Sequence, residues 1–316
     1  MEILNATLER LEDENAVGYN IGSSFYDRLY KIDRAFNLAH WQEEQWLVDF
    51  VRGVRHNRIL DCMCGTGSPS LFLADALCSL KENSLIVGVD NCRLMLSKLR
   101  RNARNYGSLC LPPSTPISVS GWSWTNGYET GTVKTEQPEM KVLQTDVHRL
   151  RQHFPPNFFD VVIVWGCSIQ HLLTAQCWHI FLKDIQTILN PKGYLVFNTL
   201  CYLLMENGDV EEVDEEKRMY RGSSHHGHTR EHFLIVSDYY ACRIVDSGVI
   251  QRKTAIAMTE RAGSVQRFRS ASVWLNPLDK VSIHNYLLSA GFDEISTNQP
   301  RIVTQNWIAK RSKVNG

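Results

Sequence analysis

A short apolar run, an acid and a glycine turn follow one another at residues 58–67, which read Arg-Ile-Leu-Asp-Cys-Met-Cys-Gly-Thr-Gly. The run ends at Asp61, and the turn contains Gly65 and Gly67. A helical pattern begins just beyond it with Ser-Pro-Ser at 68–70, where a proline near the first helical position loses no hydrogen bond. A strand, a glycine turn and a helix start together are typical of the nucleotide-binding corner of a doubly wound sheet.

The residues around this turn indicate an uncharged nucleoside rather than a polyphosphate. Phosphate-binding loops carry a lysine after their glycines, and no Lys or Arg follows these glycines directly. The third glycine of a full Gly-x-Gly-x-x-Gly pattern is replaced by Ser70. A second apolar run at 85–90 ends in Asp90, where such a fold places the acid that accepts hydrogen bonds from ribose hydroxyls.

The motif Asp-x-x-Cys-Gly-x-Gly at 61–67 resembles motif I of the class I S-adenosylmethionine-dependent methyltransferases. Four further segments resemble that family in the same order, at 91–96, 143–147, 159–166 and 189–197. The resemblance implies an α/β fold with a Rossmann-like sheet, mostly parallel and with an antiparallel last strand. It also implies S-adenosyl-L-methionine as the cofactor and S-adenosyl-L-homocysteine as the product.

The resemblance also implies which residues hold the cofactor. Asp90 is expected at the ribose, Asp146 and Val147 at the adenine, and Trp165 at the methionine moiety, although Trp165 is equally compatible with a core position. Asp61 is expected to hold the amino group through water or to orient the loop. The full set of expected cofactor-binding residues is Asp61, Cys64, Gly65, Gly67, Asp90, Asn91, Met95, Asp146, Val147 and Trp165, with Tyr30 and Trp41 from an N-terminal strap.

The order of patterns along the chain predicts four segments. These are a helical lid or strap at 1–56, a Rossmann-like core at 57–203, an antiparallel β insertion acting as a substrate lid at 204–276, and a closing helix with two strands at 277–316. A strap combined with an insertion after the fifth strand is similar in layout to the glycine/sarcosine N-methyltransferase group. Within the insertion, period-two patterns predict strands at 233–240, 242–246, 249–258 and 265–274.

The core segment contains an interruption at 107–140, with four prolines and two tryptophans. It is longer than a compact domain normally tolerates without a purpose. We therefore predict a functional loop or a hairpin there.

Candidate residues for the methyl acceptor are less sharply defined. Aromatic side chains suit a cationic sulfonium or ammonium, and a histidine near neutral pKa can act as a base. Arg221, Arg243 or Arg252 is a candidate partner for a carboxylate. Glycine as the acceptor is doubtful, because the residues after the fifth strand lack the arginine that the glycine N-methyltransferases carry there. The candidates are His171 and Tyr26 for catalysis, and Tyr19, Tyr26, His171, Tyr202, Arg221 and Arg243 for substrate binding.

The preferred interpretation is a methyltransferase enzyme acting on a small molecule, most simply an amine, by in-line displacement that needs positioning more than a strong base. One alternative is a small-molecule O-methyltransferase with His171 as the base. Another is an RNA- or protein-modifying or binding protein that docks through 107–140, where Trp122, Trp124 and Tyr128 would stack on bases.

Composition bears on partners and compartment. Lys plus Arg equals Asp plus Glu at 34 each, so the net charge is zero, which argues against nucleic acid as a partner. The sequence has no apolar run long enough to span a membrane and no signal-peptide pattern at its start. Nine cysteines without a Cys-x-x-Cys pair are typical of a reducing compartment. We expect a cytoplasmic protein, with homo-oligomerisation left open.

Four histidines, His225, His226, His228 and His232, lie close together in the insertion. Metal-using relatives of this fold usually take their ligands from acids at strand ends in the core. We therefore expect this cluster to belong to a surface or lid loop and expect no metal.

Overall fold

The structure is a computed structural model, and its described residues are 45–54, 58–78, 84–110, 118–125, 128–134, 139–200, 218–226, 229–244, 248–261, 264–276, 279–298 and 304–312. In the hairpin 118–134 and in the strands between 218 and 275 the description concerns the backbone. The contacts divide the chain into two units. The larger unit contains a nine-stranded sheet with its helices, and the smaller one contains a four-stranded sheet.

The nine-stranded sheet is mostly parallel in its centre. Its strands are β1 (Arg58–Cys62), β2 (Leu85–Asp90), β3 (Ser118–Thr125), β4 (Tyr128–Lys134), β5 (Glu139–Gln144), β6 (Phe159–Val164), β7 (Leu189–Leu200), β12 (Phe292–Asn298) and β13 (Thr304–Arg311). They lie in the order β12-β13-β7-β6-β1-β2-β5-β4-β3. The five central strands pair in parallel with their neighbours, in the order β7-β6-β1-β2-β5. In contrast, β13 is antiparallel to both β7 and β12. The predicted α/β fold with an antiparallel last strand is confirmed.

Helices cover both faces of this sheet. They are α1 (residues 45–53), α2 (Ser68–Cys78), α3 (Arg93–Cys110), α4 (Ala175–Ile188) and α5 (Lys280–Ser289). On one face, α1 and α2 pack Leu47 and Leu73 against buried β-branched residues such as Ile59 and Ile163. Burial of these side chains is the main favourable term that holds helix to sheet.

The opposite face near β7 and β13 is packed with aromatic rings. Phe197 and Trp307 stack with centroids 5.8 Å apart, and Trp178 of α4 meets the edge of Phe197 at 6.2 Å. The Trp307 indole N–H donates to Thr199 Oγ1 at 3.1 Å, so this buried polar group is satisfied. Aromatic packing therefore fixes β13 against β7, although the two strands are distant in sequence.

The segment predicted at 107–140 as a loop or hairpin contains a hairpin. β3 and β4 pair antiparallel, and β4 continues the large sheet beside β5. The first part of the segment, up to Cys110, belongs to α3. The hairpin therefore extends the sheet at the edge opposite β12.

The four-stranded sheet is antiparallel throughout, in the order β11-β10-β9-β8. Its strands are β8 (Arg218–His226), β9 (Thr229–Ile244), β10 (Gly248–Arg261) and β11 (Ser264–Leu275). Two expectations about it were wrong. A surface or lid loop was expected at the histidine cluster, whereas His225 and His226 lie in β8 and His232 lies in β9. The polar sequence of β8 lacks the period-two pattern that would have indicated a strand there. The strands predicted at 233–240 and 242–246 are one strand, because pairing with β10 keeps β9 extended through Ala241.

The four-segment division predicted from the sequence, with a strap at 1–56 and a lid at 204–276, stays a prediction. In the described residues no helix is both long and apolar enough to cross a membrane.

Gly67 provides a test of the turn between β1 and α2. Its φ is +85°, and an added Cβ would lie 2.5 Å from Leu99 Cγ. We expect Gly67→Ala to lower the free energy of unfolding by about 2–4 kcal/mol, because it combines backbone strain with overpacking. Chemical denaturation measures this change. Gly53→Ala in α1 is the control, because its Cβ meets no atom within 4 Å, and a loss comparable to that of Gly67→Ala would contradict the explanation.

Candidate functional site

The carboxyl ends of the parallel strands meet at one edge of the large sheet, which is where α/β folds bind ligands. Asp61 and Asp90 lie at the ends of the adjacent strands β1 and β2. Trp165 follows β6, the neighbour of β1 on its other side. The sheet therefore brings together three side chains that the sequence separates by many residues.

The glycine turn after β1 requires left-handed backbone at several positions. Met63, Gly65 and Gly67 have φ values of 55°, 54° and 85°. The Cys64 amide donates to the Val89 carbonyl at 3.0 Å, and the Gly67 amide donates to the Cys64 carbonyl at 2.8 Å. Hydrogen bonds thus hold the turn together internally and attach it to β2. Cys64 itself is buried, so its thiol packs within the core.

Asp90 connects the two strand ends. Its Oδ2 accepts a hydrogen bond from the Gly65 amide at 2.9 Å, and its Oδ1 accepts one from the Cys92 amide at 2.8 Å. Burial raises the pKa of Asp90 to about 6, although these two amide bonds act in the opposite direction. Because each carboxylate oxygen has two acceptor sites, Asp90 retains capacity for further donors.

Asp61 is buried and only partly satisfied. The Ser70 hydroxyl of α2 donates to its Oδ2 at 2.5 Å, whereas its Oδ1 is buried without a hydrogen-bond partner among the described residues. Burial raises the pKa of Asp61 to about 7, and the nearby Asp90 charge adds to this rise. A buried acceptor without a donor is costly, so Asp61 is suited to a ligand that brings a donor or a positive charge.

Open space adjoins the turn at Gly65. A Cβ placed on Gly65 would meet no atom within 4 Å, in contrast to the close approach at Gly67. The residues present therefore fit an uncharged nucleoside with a cationic tail. They offer a carboxylate for hydroxyl groups, a half-satisfied carboxylate for an ammonium, and room beside a bare backbone.

Asp146 and Val147 follow β5 and begin a short 3-10 helix, Val147–Gln152. Asp146 Oδ1 accepts hydrogen bonds from the amide of His148 at 2.8 Å and from its Nδ1 at 2.9 Å. The bond from the His148 ring lowers the pKa of Asp146. Asp146 therefore caps this helix, and Val147 is buried beside it. The expected adenine contact of these two residues stays a prediction.

Trp165 begins a tight turn after β6, in which Gly166 and Cys167 have φ values of 66° and 61°. The Cys167 amide donates to Asn198 Oδ1 at 2.7 Å, which holds the turn against β7. The Trp165 ring is 3% exposed and stacks on Trp46 of α1 at 6.1 Å. It is therefore a packed residue at the edge where ligands bind.

Asn91 and Met95 lie just after β2. Asn91 is exposed, and its carbonyl accepts a hydrogen bond from the Gln144 amide group at 3.1 Å. Met95 is 1% exposed, whereas the preceding Leu94 is 49% exposed. Leu94 is thus available at the surface and Met95 is not, and the expected cofactor contact of Met95 stays a prediction.

Several candidate residues cannot be placed at this edge. Tyr19, Tyr26, Tyr30, Trp41 and Tyr202 lie outside the described residues, and Arg221 and Arg243 are described by their backbone in β8 and β9. His171 ends the 3-10 helix Ser168–His171 and belongs to the smaller unit. Its assignment as a catalytic base stays a prediction, as do the roles of the other seven. Metal ligation by the histidines near 225–232 is likewise untested, since their side chains lie outside the description.

Sequence reasoning did not single out Asn198 and Asn306. Both are buried at the same strand edge, opposite each other on β7 and β13. No local motif marks them, because an isolated asparagine in a strand has no distinctive spacing.

Comparison with solved structures identifies the fold. The chain is similar to an S-adenosylmethionine-dependent methyltransferase from Clostridium acetobutylicum ATCC 824, with a TM-score of 0.57 and 14% identity over 93% of this chain and 99% of that one. It is also similar to the sugar N-methyltransferase KedS8 from Streptoalloteichus sp ATCC 53650, with a TM-score of 0.54 and 18% identity over 86% and 87% of the two chains. A third structure is SAM-bound CalS10, an amino pentose methyltransferase from Micromonospora echinaspora, with a TM-score of 0.56 and 15% identity over 89% and 98%.

The chain therefore has the fold of the class I S-adenosylmethionine-dependent methyltransferases, as its motifs predicted. None of these three structures is described as a glycine or sarcosine methyltransferase. That narrower resemblance stays a prediction. No protein-family model and no curated protein matches the sequence.

The buried carboxylate of Asp61 predicts an unusual pH dependence of stability. Because its pKa is raised in the folded protein from 3.8 to about 7, its ionisation opposes folding, fully above about pH 7 and not at all below about pH 4. Asp61→Asn removes this penalty and retains an acceptor for Ser70. We expect the variant to be more stable than the parent by about 1–3 kcal/mol at pH 8, with the difference vanishing toward pH 4.

Urea denaturation across this pH range measures the effect. Asp293→Asn is the control, because Asp293 is exposed on β12 and its substitution should change stability by less than about 0.5 kcal/mol at every pH. A variant Asp61→Asn less stable than the parent at pH 8 would contradict the assignment of a buried, penalised carboxylate.

Proposed function

We propose that this protein is an S-adenosylmethionine-dependent methyltransferase that acts on a small-molecule acceptor, most simply an amine. The observation that carries the proposal is the glycine turn whose Gly65 amide is bound by Asp90, with open space beside it. The absence of Lys and Arg directly after the glycines and the overall fold support the same conclusion. Asp90 then binds the ribose hydroxyls, which is the role that such an acid has in nucleotide-binding sheets.

The amino-acid end of the cofactor has a natural partner in Asp61. An α-ammonium group would donate to the unsatisfied Oδ1 and compensate the buried negative charge. When bound, S-adenosylmethionine supplies a methyl group on a positively charged sulfur. The chain's own task is then to align the acceptor nitrogen in line with that methyl group and to exclude water.

A small acceptor fits the charge of the chain. Equal numbers of acidic and basic residues provide no excess of cations for a nucleic-acid backbone. The names of two structural neighbours, a sugar N-methyltransferase and an amino pentose methyltransferase, make amino sugars a reasonable first class of acceptor to assay. Radiolabelled methyl transfer to glucosamine, glycine and a catechol separates N-methylation of a hydroxylated amine from N-methylation of an amino acid and from O-methylation.

Binding of S-adenosylhomocysteine tests the cofactor assignment directly. A charge-assisted hydrogen bond contributes about 1.5–3 kcal/mol, so we expect Asp90→Ala to weaken binding by roughly tenfold to 150-fold in isothermal titration calorimetry. Asp293→Ala, an exposed acid on β12, should leave affinity unchanged. Equal affinity of Asp90→Ala and the parent, with both proteins folded by circular dichroism, would refute the placement.

The protonation of Asp61 should couple to cofactor binding. Since the pKa of Asp61 is raised to about 7 in the free protein, a ligand ammonium must displace its proton below that pH. We expect S-adenosylhomocysteine affinity to fall by about tenfold per pH unit below pH 7, with proton release visible as a buffer-dependent binding enthalpy. Between pH 7 and pH 6, above the pKa of about 6 of Asp90, Asp61→Asn should lose this pH dependence, and an unchanged dependence in the variant would contradict the role.

A further inference from the structure

A row of polar side chains crosses neighbouring strands at the ligand-binding edge of the large sheet. Val164 of β6 lies opposite Phe197 of β7, so Trp165 follows next to Asn198. Asn198 in turn lies opposite Asn306 of β13, which lies opposite Asn298 of β12. The row therefore runs from the end of β6, which neighbours β1, to the edge strand β12.

The members of this row point to the same face. Ile163 and Val196, one pleat below, share a core cluster with Trp165, and Ile308 packs against that cluster. Because side chains alternate along a strand, Asn198 and Asn306 lie on the face of Val196 and Ile308. This is the face covered by α1 and α2.

Asn198 and Asn306 differ in whether their amide groups are used. Asn198 Oδ1 accepts a hydrogen bond from the Cys167 amide at 2.7 Å. Asn306 is 0% exposed, and neither its Oδ1 nor its Nδ2 has a hydrogen-bond partner in the described part of the chain. The Trp165 indole N–H likewise has no hydrogen-bond partner among the described residues, and Trp165 is 3% exposed.

Buried polar groups without partners cost free energy and are rare in folded proteins. Two such side chains in one row, at the edge where this fold places its ligands, indicate a ligand rather than a structural role. Gln305 also has an unpartnered buried oxygen, but alternation puts it on the opposite face, so it does not belong to the row.

We propose that Asn306 and Trp165 bind an uncharged, hydroxyl-bearing part of the methyl acceptor. This inference rests on the proposed function and narrows its substrate class. The two side chains offer two donor groups and one acceptor, a set that matches hydroxyl groups, which both donate and accept. The row of Trp165, Asn198, Asn306 and Asn298 contains no cation, so it does not suit a carboxylate. Asn298 at the outer end of the row is exposed.

A comparison of two leucine variants tests whether the Asn306 amide is kept for a ligand. Asn306→Leu removes buried groups that have no partner, so the ligand-free variant should melt at the parent temperature or about 2–6 °C above it. Asn198→Leu is the matched control in the same row, and it should melt lower because it removes the Asn198 Oδ1 that accepts a hydrogen bond from the Cys167 amide. A loss for Asn306→Leu similar to that for Asn198→Leu would overturn the proposal, because it would assign the amide a structural role.

The second measurement is ligand binding by saturation-transfer NMR, with glucosamine as the probe and the protein saturated with S-adenosylhomocysteine. We expect the parent to bind glucosamine and Asn306→Leu to bind it at least tenfold more weakly. The affinity for S-adenosylhomocysteine should agree within about twofold between the parent and Asn306→Leu, which is well below a tenfold change. Failure of the parent to bind glucosamine, or equal binding by both proteins, would overturn the assignment.

The two proposals fail separately. If the parent does not bind S-adenosylhomocysteine, the methyltransferase proposal itself is wrong, and that result appears before any acceptor is added. If the parent binds S-adenosylhomocysteine but the Asn306 comparisons fail, the acceptor assignment alone is wrong.

Discussion

The hydrogen bond from the Gly65 amide to the Asp90 carboxylate is the interaction on which the candidate site depends. It connects a turn that begins at the end of β1 to the last residue of β2, so the two strand ends act as one rigid corner. The second oxygen of Asp90 accepts a hydrogen bond from the Cys92 amide, just before α3 begins. Strand, turn and helix are therefore positioned by one side chain, and open space adjoins the backbone at Gly65.

The same edge contains several groups that oppose folding. Asp61 is a buried carboxylate with one unsatisfied oxygen, and Asn306 and Trp165 contain buried polar atoms without partners in the described residues. Each lowers stability in the ligand-free protein. The apolar contacts of α1 and α2 with the sheet, and the aromatic stack of Phe197 with Trp307, offset these costs. Binding sites commonly show this conflict between stability and function.

The two sets of groups divide the edge into a charged and an uncharged half. Asp61 and Asp90 lie on β1 and β2 and suit a ligand with hydroxyl groups and a positive charge. Asn306 lies on β13, across β6 and β7 from β1, and suits a neutral polar group. Trp165 follows β6 between these halves, so a methyl group transferred between two bound molecules would pass close to this strand.

The sequence by itself determined the corner, because the apolar run, the acid and the glycines that form it are neighbours in the chain and act locally. It also determined the strand and helix alternation from β1 to β7 and the closing strands near 292–310. Tertiary structure alone decided the row at Asn306, since its meaning comes from the register between β7 and β13, which are over a hundred residues apart. Through pairing with β10 it likewise made 229–244 one strand, and it joined the 118–134 hairpin to the large sheet. Pairing between distant segments overrides local preference, and a single sequence carries no direct record of it.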